Sequence, residues 1–241
     1  MDYRELKNAR ITGLYKEELT ALRPCGIGGL NRMMQQTTEH AMERLGISVE
    51  ELMDLELLWV ICFSRIEVSR MPRSEEPMVI YTWPGAEKMG MFTRRYAAFT
   101  TEGEELFCAA SLFSLVNRKT RALVLPGDSG FILPVVKLPD EPTLPKLTAR
   151  GTEDREMIHL AAADEIDHNG HVNNAYYLDW AETIFQKESS GQEDHVHTIW
   201  IGYSREILEG DEVTMRYSCS GPELFMRGYV NGESCFTIMT R

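Results

Sequence analysis

No apolar run in this 241-residue chain approaches the roughly 20 residues that a membrane-spanning helix needs. The first residues, Met1-Asp2-Tyr3-Arg4-Glu5, lack the layout of a secretory signal. A long Ser/Arg-rich leader of the kind used for plastid import is missing as well. These absences predict a cytoplasmic protein without a membrane anchor. A basic excess is also missing. The 25 Lys and Arg stand against 37 Asp and Glu, a net charge of −12, which argues against nucleic acid as the main partner. Two local basic patches remain conceivable, Arg118 with Lys119 and Arg121, and Arg94 with Arg95. Charged strand edges that resist aggregation account for either group more simply. Cysteine is sparse. Cys25, Cys62, Cys108, Cys219 and Cys235 form no C-x-x-C pair, so free thiols in a reducing compartment are expected. His195 and His197 share one face of an expected strand and read as strand residues rather than zinc ligands. Neither a metal nor a cofactor is expected. What is present, 43% apolar and 26% charged residues, is the make-up of an ordinary globular protein.

One plan runs along the chain twice. Residues 9–19 have strand character, and 29–45 read as a helix. Leu30, Met33, Met34, Thr37, Ala41 and Leu45 form its mostly apolar stripe, and Gly46 closes it. Strands are expected at 57–70, 77–83, 91–100 and 105–117. Pro126, Pro134, Pro139, Pro142 and Pro145 then predict an extended linker over 125–150. The plan restarts with a strand at 156–165, a helix at 172–187 and a strand at 195–207. Val213, Met215, Tyr217 and Cys219 alternate with polar residues in a further strand. Strands at 223–230 and 234–240, joined by Asn231-Gly232, complete the set. The fold class is α+β, with halves at 1–124 and 151–241 around the linker.

Chemistry concentrates in Asp167-His168-Asn169-Gly170-His171-Val172-Asn173-Asn174, just before an amphipathic run whose Tyr177, Trp180, Ala181 and Ile184 share one face. An acid, an amide and an imidazole at alternate positions stand at an expected helix N-terminus, where free amides and the helix dipole favour negative charge. Such a site suits the oxyanion formed when an acyl carbonyl is attacked. The corresponding loop of the first half, Leu22-Arg23-Pro24-Cys25-Gly26-Ile27-Gly28-Gly29, has no such set.

The D-x-N-x-H-V-N-N pattern on a strand, loop and helix resembles the acyl-acyl carrier protein (acyl-ACP) thioesterase family. Tyr203-Ser204-Arg205-Glu206-Ile207 is similar to that family's R-E-C-type segment, with Glu206 in the acid position. Val79-Ile80-Tyr81-Thr82-Trp83-Pro84-Gly85 resembles its T-W-P strand. The Phe92-Thr93-Arg94-Arg95-Tyr96 and Ala110-Ser111-Leu112-Phe113 runs fit the strands that follow. The ordered set spans most of the chain. It implies a tandem hot-dog fold, each half a central helix wrapped by an antiparallel sheet, and, without a plastid leader, a bacterial-type member. The implied activity is hydrolysis of acyl-ACP to free fatty acid and holo-ACP. The implied partner is an acyl carrier protein bearing an acyl-phosphopantetheine, and the chain is a monomer or a homodimer.

The resemblance assigns the acyl-chain pocket to the first half, with Met33, Met34, Thr37, Trp59 and Trp83 as candidate lining residues, and Asn173 and Asn174 beside the thioester. Asp167, Asn169, His171 and Glu206 are the candidate catalytic set. His171 can carry the proton near neutral pH, with its tautomer fixed by Asp167 or Glu206. Glu206 can instead act as base toward water. Asn169 can hold the water or the carbonyl, and Asp167 can orient the loop or cap the helix. A covalent cysteine after the glutamate, one reading of the family, is excluded here because position 207 is isoleucine. Asp167-x-x-Gly170-His171 also resembles single-domain hot-dog acyl-CoA thioesterases, which would make Asp167 a nucleophile. A non-catalytic acyl-binding protein is the third alternative.

Overall fold

The long first helix begins two residues earlier than its apolar spacing predicts, and it does so through glycine. In the computed structural model, which describes residues 2–22, 25–139, 141–142, 144, 151–188 and 196–241, this helix is α2 (Ile27–Arg44). It follows α1 (Tyr3–Asn8) and β1 (Tyr15–Thr20) and precedes α3 (Val49–Asp54). Then come β2 (Leu57–Val68), β3 (Pro77–Lys88), β4 (Met91–Thr100), β5 (Glu105–Asn117) and the short β6 (Leu123–Val124). The second half has β7 (Arg155–Leu160), α4 (Tyr176–Glu188), β8 (Thr198–Tyr203), β9 (Glu212–Ser220), β10 (Glu223–Val230) and β11 (Glu233–Thr240). His195 lies outside the described residues, and His197 directly precedes β8. No described helix is long and apolar enough to cross a membrane.

All the strands belong to one antiparallel sheet in the order β1-β3-β4-β5-β2-β8-β11-β10-β9-β7, with β6 on β5. Each half has the same strand order counted from its outer edge. The halves meet at β2 and β8, where Phe63 to Glu67 pair with Gly202 to Thr198. The main core draws on both halves: Leu30, Met33 and Met34 of α2 pack in one cluster with Tyr177, Leu178, Trp180 and Ile184 of α4 and the inner faces of the strands. This is the helix-in-sheet plan, twice, that the tandem hot-dog expectation describes.

The two helices touch, and glycine permits it. A Cβ added to Gly28 would stand 1.9 Å from Asp179 Oδ1 and 3.0 Å from the Ala175 carbonyl oxygen. One added to Gly26 would stand 1.9 Å from a Glu182 carboxylate oxygen. Arg32 of α2 forms an ion pair with Asp179, one of its bonds 3.1 Å long. Glycine is a poor helix former, but here close packing outweighs propensity.

Three other departures from the expected pattern have local causes. Helix α3 starts on a capping box, with Ser48 and Glu51 each bonding the other's amide. Strand β3 runs through Pro84, which pairs only with β4 because β1 reaches no further than Thr82. There β3 has a free side, so a missing donor costs no ladder bond. The Pro-rich segment covers that side: Val136 is buried and its amide donates to the Pro84 carbonyl at 3.0 Å. Arg94 and Arg95 form neither the charged strand edge expected of them nor an open basic patch. Strand β4 lies between β3 and β5, so both arginines sit inside the sheet's coverage and Arg94 is buried.

Gly28→Ala should lower the stability in chemical denaturation by about 1–3 kcal/mol, although helix propensity alone favours alanine. Gly127→Ala, where an added Cβ meets nothing within 4 Å, should change it by less than about 0.5 kcal/mol.

Candidate active site

A cavity of about 260 Å³ runs along one side of α2. The helix presents Asn31, Gln35, Thr38 and Met42 to it, at i, i+4, i+7 and i+11, with Met34 and Glu39 flanking. This mixed stripe lies beside the apolar stripe read from the sequence, which faces the core instead. Met34 therefore lines the cavity, whereas Met33 and Thr37 do not. Met33 is in the core, and the Thr37 hydroxyl is spent on the Met33 carbonyl at 2.8 Å. Trp59 lines the cavity, edge-on to Phe92 at 4.7 Å between centroids. Trp83 lies elsewhere, in a separate cluster with Leu6, Tyr81, Phe99 and Val136, where its indole donates to Glu141 at 3.3 Å.

At the other end the wall is formed by the second half: Asp167, His168, Asn169, Asn173 and Asn174. The loop is a tight turn. The Gly170 amide donates to the Asp167 carbonyl at 3.0 Å, and the Asp167 amide to the His171 carbonyl at 2.8 Å. Gly170 has φ +83°, a conformation that glycine adopts without strain. Asp167 Oδ1 accepts from the Asn169 amide at 2.8 Å and the His171 amide at 3.5 Å, an arrangement that stiffens the turn. Asn173 Oδ1 accepts from the Ala175 amide at 2.9 Å, and the Asn174 carbonyl accepts from Tyr203 Oη at 2.9 Å. Helix α4 itself begins only at Tyr176, so the motif precedes the first turn rather than forming it.

Glu206 was expected on a strand, but β8 ends at Tyr203 and Glu206 sits in the loop beyond. The Val172 amide donates to the Ile207 carbonyl at 2.9 Å, and this register sets Glu206 against His171. His171 Nε2 and Glu206 Oε2 are 3.0 Å apart. Both Glu206 oxygens also accept from Arg121, at 2.7 and 2.9 Å, from the turn between β5 and β6 of the first half. His171 and Glu206 stand next to the cavity wall rather than in it. Three further residues stand at this site without having been singled out in the sequence as candidates. His168 lines the cavity beside Asp167. Glu39, at the rim, is raised above the usual carboxylate range by burial, with His168 and His40 opposing. Arg121 carried a signal only as part of a basic run.

Below the loop lies Glu165, a buried carboxylate whose lone pairs are all engaged locally. It accepts from the Trp180 indole at 2.9 Å, the Ala162 amide at 2.9 Å and His159 Nε2 at 2.9 and 3.0 Å. Its carbonyl accepts from the Asn173 amide at 2.8 Å. Burial alone would raise the Glu165 carboxyl, but these donors outweigh it and hold the group below the ordinary glutamate range. The thiols are in the opposite situation. Burial pushes Cys25 up to about 11 and Cys108 up to about 12, and it raises Cys235 also, so none of these three is a ready thiolate. Among the described residues no group of three or more His, Cys, Asp and Glu is arranged to hold a metal ion.

Residues 23–125 match the acyl-ACP thioesterase N-terminal domain and residues 150–234 the C-terminal domain. An acyl-[acyl-carrier-protein] hydrolase of the chloroplast of Cuphea viscosissima is 27% identical over 179 residues, 68% of this chain and 43% of that protein. A dodecanoyl-[acyl-carrier-protein] hydrolase of Umbellularia californica is 28% identical over 210 residues, 80% of this chain and 54% of that one. The chain thus spans about half the length of these relatives. A solved structure of a putative oleoyl thioesterase from Lactobacillus plantarum superposes with a TM-score of 0.78 at 22% identity, covering 95% of this chain and 96% of that one. One of an acyl-ACP thioesterase from Bacteroides thetaiotaomicron gives 0.76 at 21% identity, covering 94% and 96%. These two likenesses establish the fold.

The lowered Glu165 carboxyl carries a consequence for stability. Its contribution is present in full above the ordinary glutamate pKa and is lost as pH falls through the lower value of the folded state. Glu165→Gln should cost about 1–3 kcal/mol at neutral pH. In denaturant titrations repeated from neutral pH to about pH 3, it should also flatten the acid side of the stability curve. An unchanged acid slope in the variant would show that Glu165 is not a source of that dependence.

Proposed function

The chain belongs to the acyl-ACP thioesterase family, and on that premise we propose that it hydrolyses acyl-ACP to a fatty acid and holo-ACP. The carrying observation is that the cavity of the first half ends on Asp167, His168 and Asn169, with the His171–Glu206 pair of the same loop region directly behind. An acyl chain lying along α2 then brings its thioester to the loop where Asn169 lines the cavity, with the His171 imidazole and the Glu206 carboxylate beside it.

Water is the nucleophile in this reading. Glu206 Oε2 stands 3.0 Å from His171 Nε2, and in this reading it orients the ring so that Nδ1 is the basic nitrogen. Arg121 engages both Glu206 oxygens and so keeps the carboxylate in the orienting role rather than as base. His171 takes a proton as water adds to the carbonyl carbon. The tetrahedral intermediate collapses, the carbon–sulfur bond breaks, and the proton passes to the leaving sulfur. The Asn169 amide steadies the oxyanion or the water. Asp167 serves the turn. Its Oδ1 is already engaged by two backbone amides, which disfavours it as a nucleophile. Ile207 in the segment's expected cysteine position, together with the raised Cys235 thiol, disfavours an acyl-cysteine route. Of the basic run, Arg121 is held by Glu206 and Lys119 by Glu56, whereas Arg118 lines the cavity and suits the phosphate of a carrier-bound pantetheine.

His168 is a second candidate for the proton carrier, because it lines the cavity itself. Two variants separate them. On acyl-ACP, His171→Ala should lower kcat by about 10²–10³-fold, and His168→Ala by less than about tenfold. The reverse order would move the base to His168, and full activity of both folded variants would remove the loop from the chemistry.

A further inference from the structure

The far end of the cavity holds a buried cation that no carboxylate pairs with among the described residues. Arg94 reaches it from β4 and is only 4% exposed. Its guanidinium donates to Thr82 Oγ1 at 3.3 Å and lies against Met42 Sδ. A guanidinium has five N–H donors and keeps its charge inside proteins. Among the described residues no carboxylate pairs with it. Glu39, Glu43 and Asp167 also line the cavity, but none bonds to Arg94, and Tyr96 is the neighbour that acts on it electrostatically. Burial opposes the Arg94 charge, as expected for a cation held away from water without a counterion.

A second donor stands close by. Phe92 precedes Arg94 by two residues on the same face of β4, and it packs edge-on against Trp59. Trp59 Nε1 is buried and has no hydrogen-bond partner among the described residues. Both donors border the cluster of Met42, Ile47, Leu52 and Phe92. Met42 lies eleven residues beyond Asn31, about 16 Å along the axis of α2. Asn31 donates to Tyr203 Oη at 3.4 Å, and Tyr203 holds Asn174 of the catalytic loop. Arg94 is thus at the end of the cavity opposite the expected thioester. A plain methyl terminus there would leave the Trp59 indole without an acceptor and the Arg94 charge without a counterion. A carboxylate answers both, since it accepts two parallel bonds from a guanidinium and keeps lone pairs for an indole N–H.

We propose that the cavity accepts acyl chains whose distal end carries a carboxylate, received by Arg94 with Trp59 Nε1 as the second donor. The inference rests on the acyl-ACP reading of the site and names its substrate class.

The test compares acyl-ACPs of equal chain length ending in methyl, hydroxyl or carboxylate, across graded lengths, on the wild type, Arg94→Met and Arg94→Lys. At the length that spans the cavity, the carboxylate-ended chain should exceed the methyl-ended one in kcat/KM by about tenfold or more. Arg94→Met should erase that difference, and Arg94→Lys should keep part of it. In parallel, calorimetry with free long-chain dicarboxylic and monocarboxylic acids measures recognition without turnover, and the dicarboxylic acid should bind more tightly. Equal or better turnover of methyl-ended chains at every length would overturn the proposal, as would hydroxyl ends matching carboxylate ends. The wild-type comparison decides even if Arg94→Met fails to fold. If no acyl-ACP were hydrolysed while the dicarboxylic acid still bound more tightly, the hydrolase reading would fail and the Arg94 assignment would stand.

Discussion

The close approach of α2 and α4 is the constraint on which the rest of the molecule depends. Neither half holds a complete site. The cavity wall belongs to α2 and its strands, and the polar loop to the segment before α4. Their alignment requires the helices to touch, which in turn requires hydrogen atoms in place of side chains at Gly26 and Gly28. The contact is polar as well as tight. Asp179 pairs with Arg32, and Glu182 faces the Ile27 amide at the start of α2. Burial and the nearby Asp179 charge hold the Glu182 carboxyl above its ordinary range, while the Ile27 amide opposes them. A helix start without a side-chain cap of its own is thus served by the other half. The same seam carries the link from Asn31 through Tyr203 to Asn174.

Buried polar groups in this protein fall into two kinds. Glu165 has its donors supplied by its own neighbourhood, and it stiffens the loop above it. At the surface, the exposed Glu206 has its charge answered by Arg121, which ties the first half's β5–β6 turn to the second half's histidine. Arg94, Trp59 Nε1 and Asn31 Oδ1 are different. All three residues line the cavity: Trp59 Nε1 and Asn31 Oδ1 have no hydrogen-bond partner, and Arg94 has no carboxylate partner among the described residues. An acyl channel built only for hydrocarbon has no need of such groups, because unsatisfied polar atoms in an apolar wall are costly.

Much of this was legible in the sequence, for physical reasons that differ by element. The strands with clean alternation, such as Val213 to Cys219, and the apolar stripe of α4 appear within a few residues of their expected bounds, since burial on one face leaves a period in the chain. The start of α2 was obscured because its glycines answer to packing across the molecule, not to local propensity. The cavity stripe Asn31, Gln35, Thr38 and Met42 was illegible for a related reason: a wall that meets a ligand is mixed in polarity and reads like a solvent face. The loop motif carried the candidate acid, amide and imidazole together. Arg121 did not declare itself, because its partner Glu206 is 85 residues away and only the β2–β8 junction brings the halves into register.

The central claim is that the two halves cooperate in hydrolysis, with the first binding the acyl chain and the second breaking the thioester. The most direct measurement is the release of free thiol from acyl-ACPs and from acyl-CoAs of matched chain lengths, followed under steady-state conditions with the wild-type protein. The account expects turnover with a higher kcat/KM on the carrier-protein thioesters and a clear optimum of chain length. Tight acyl binding without thiol release on either substrate would contradict it.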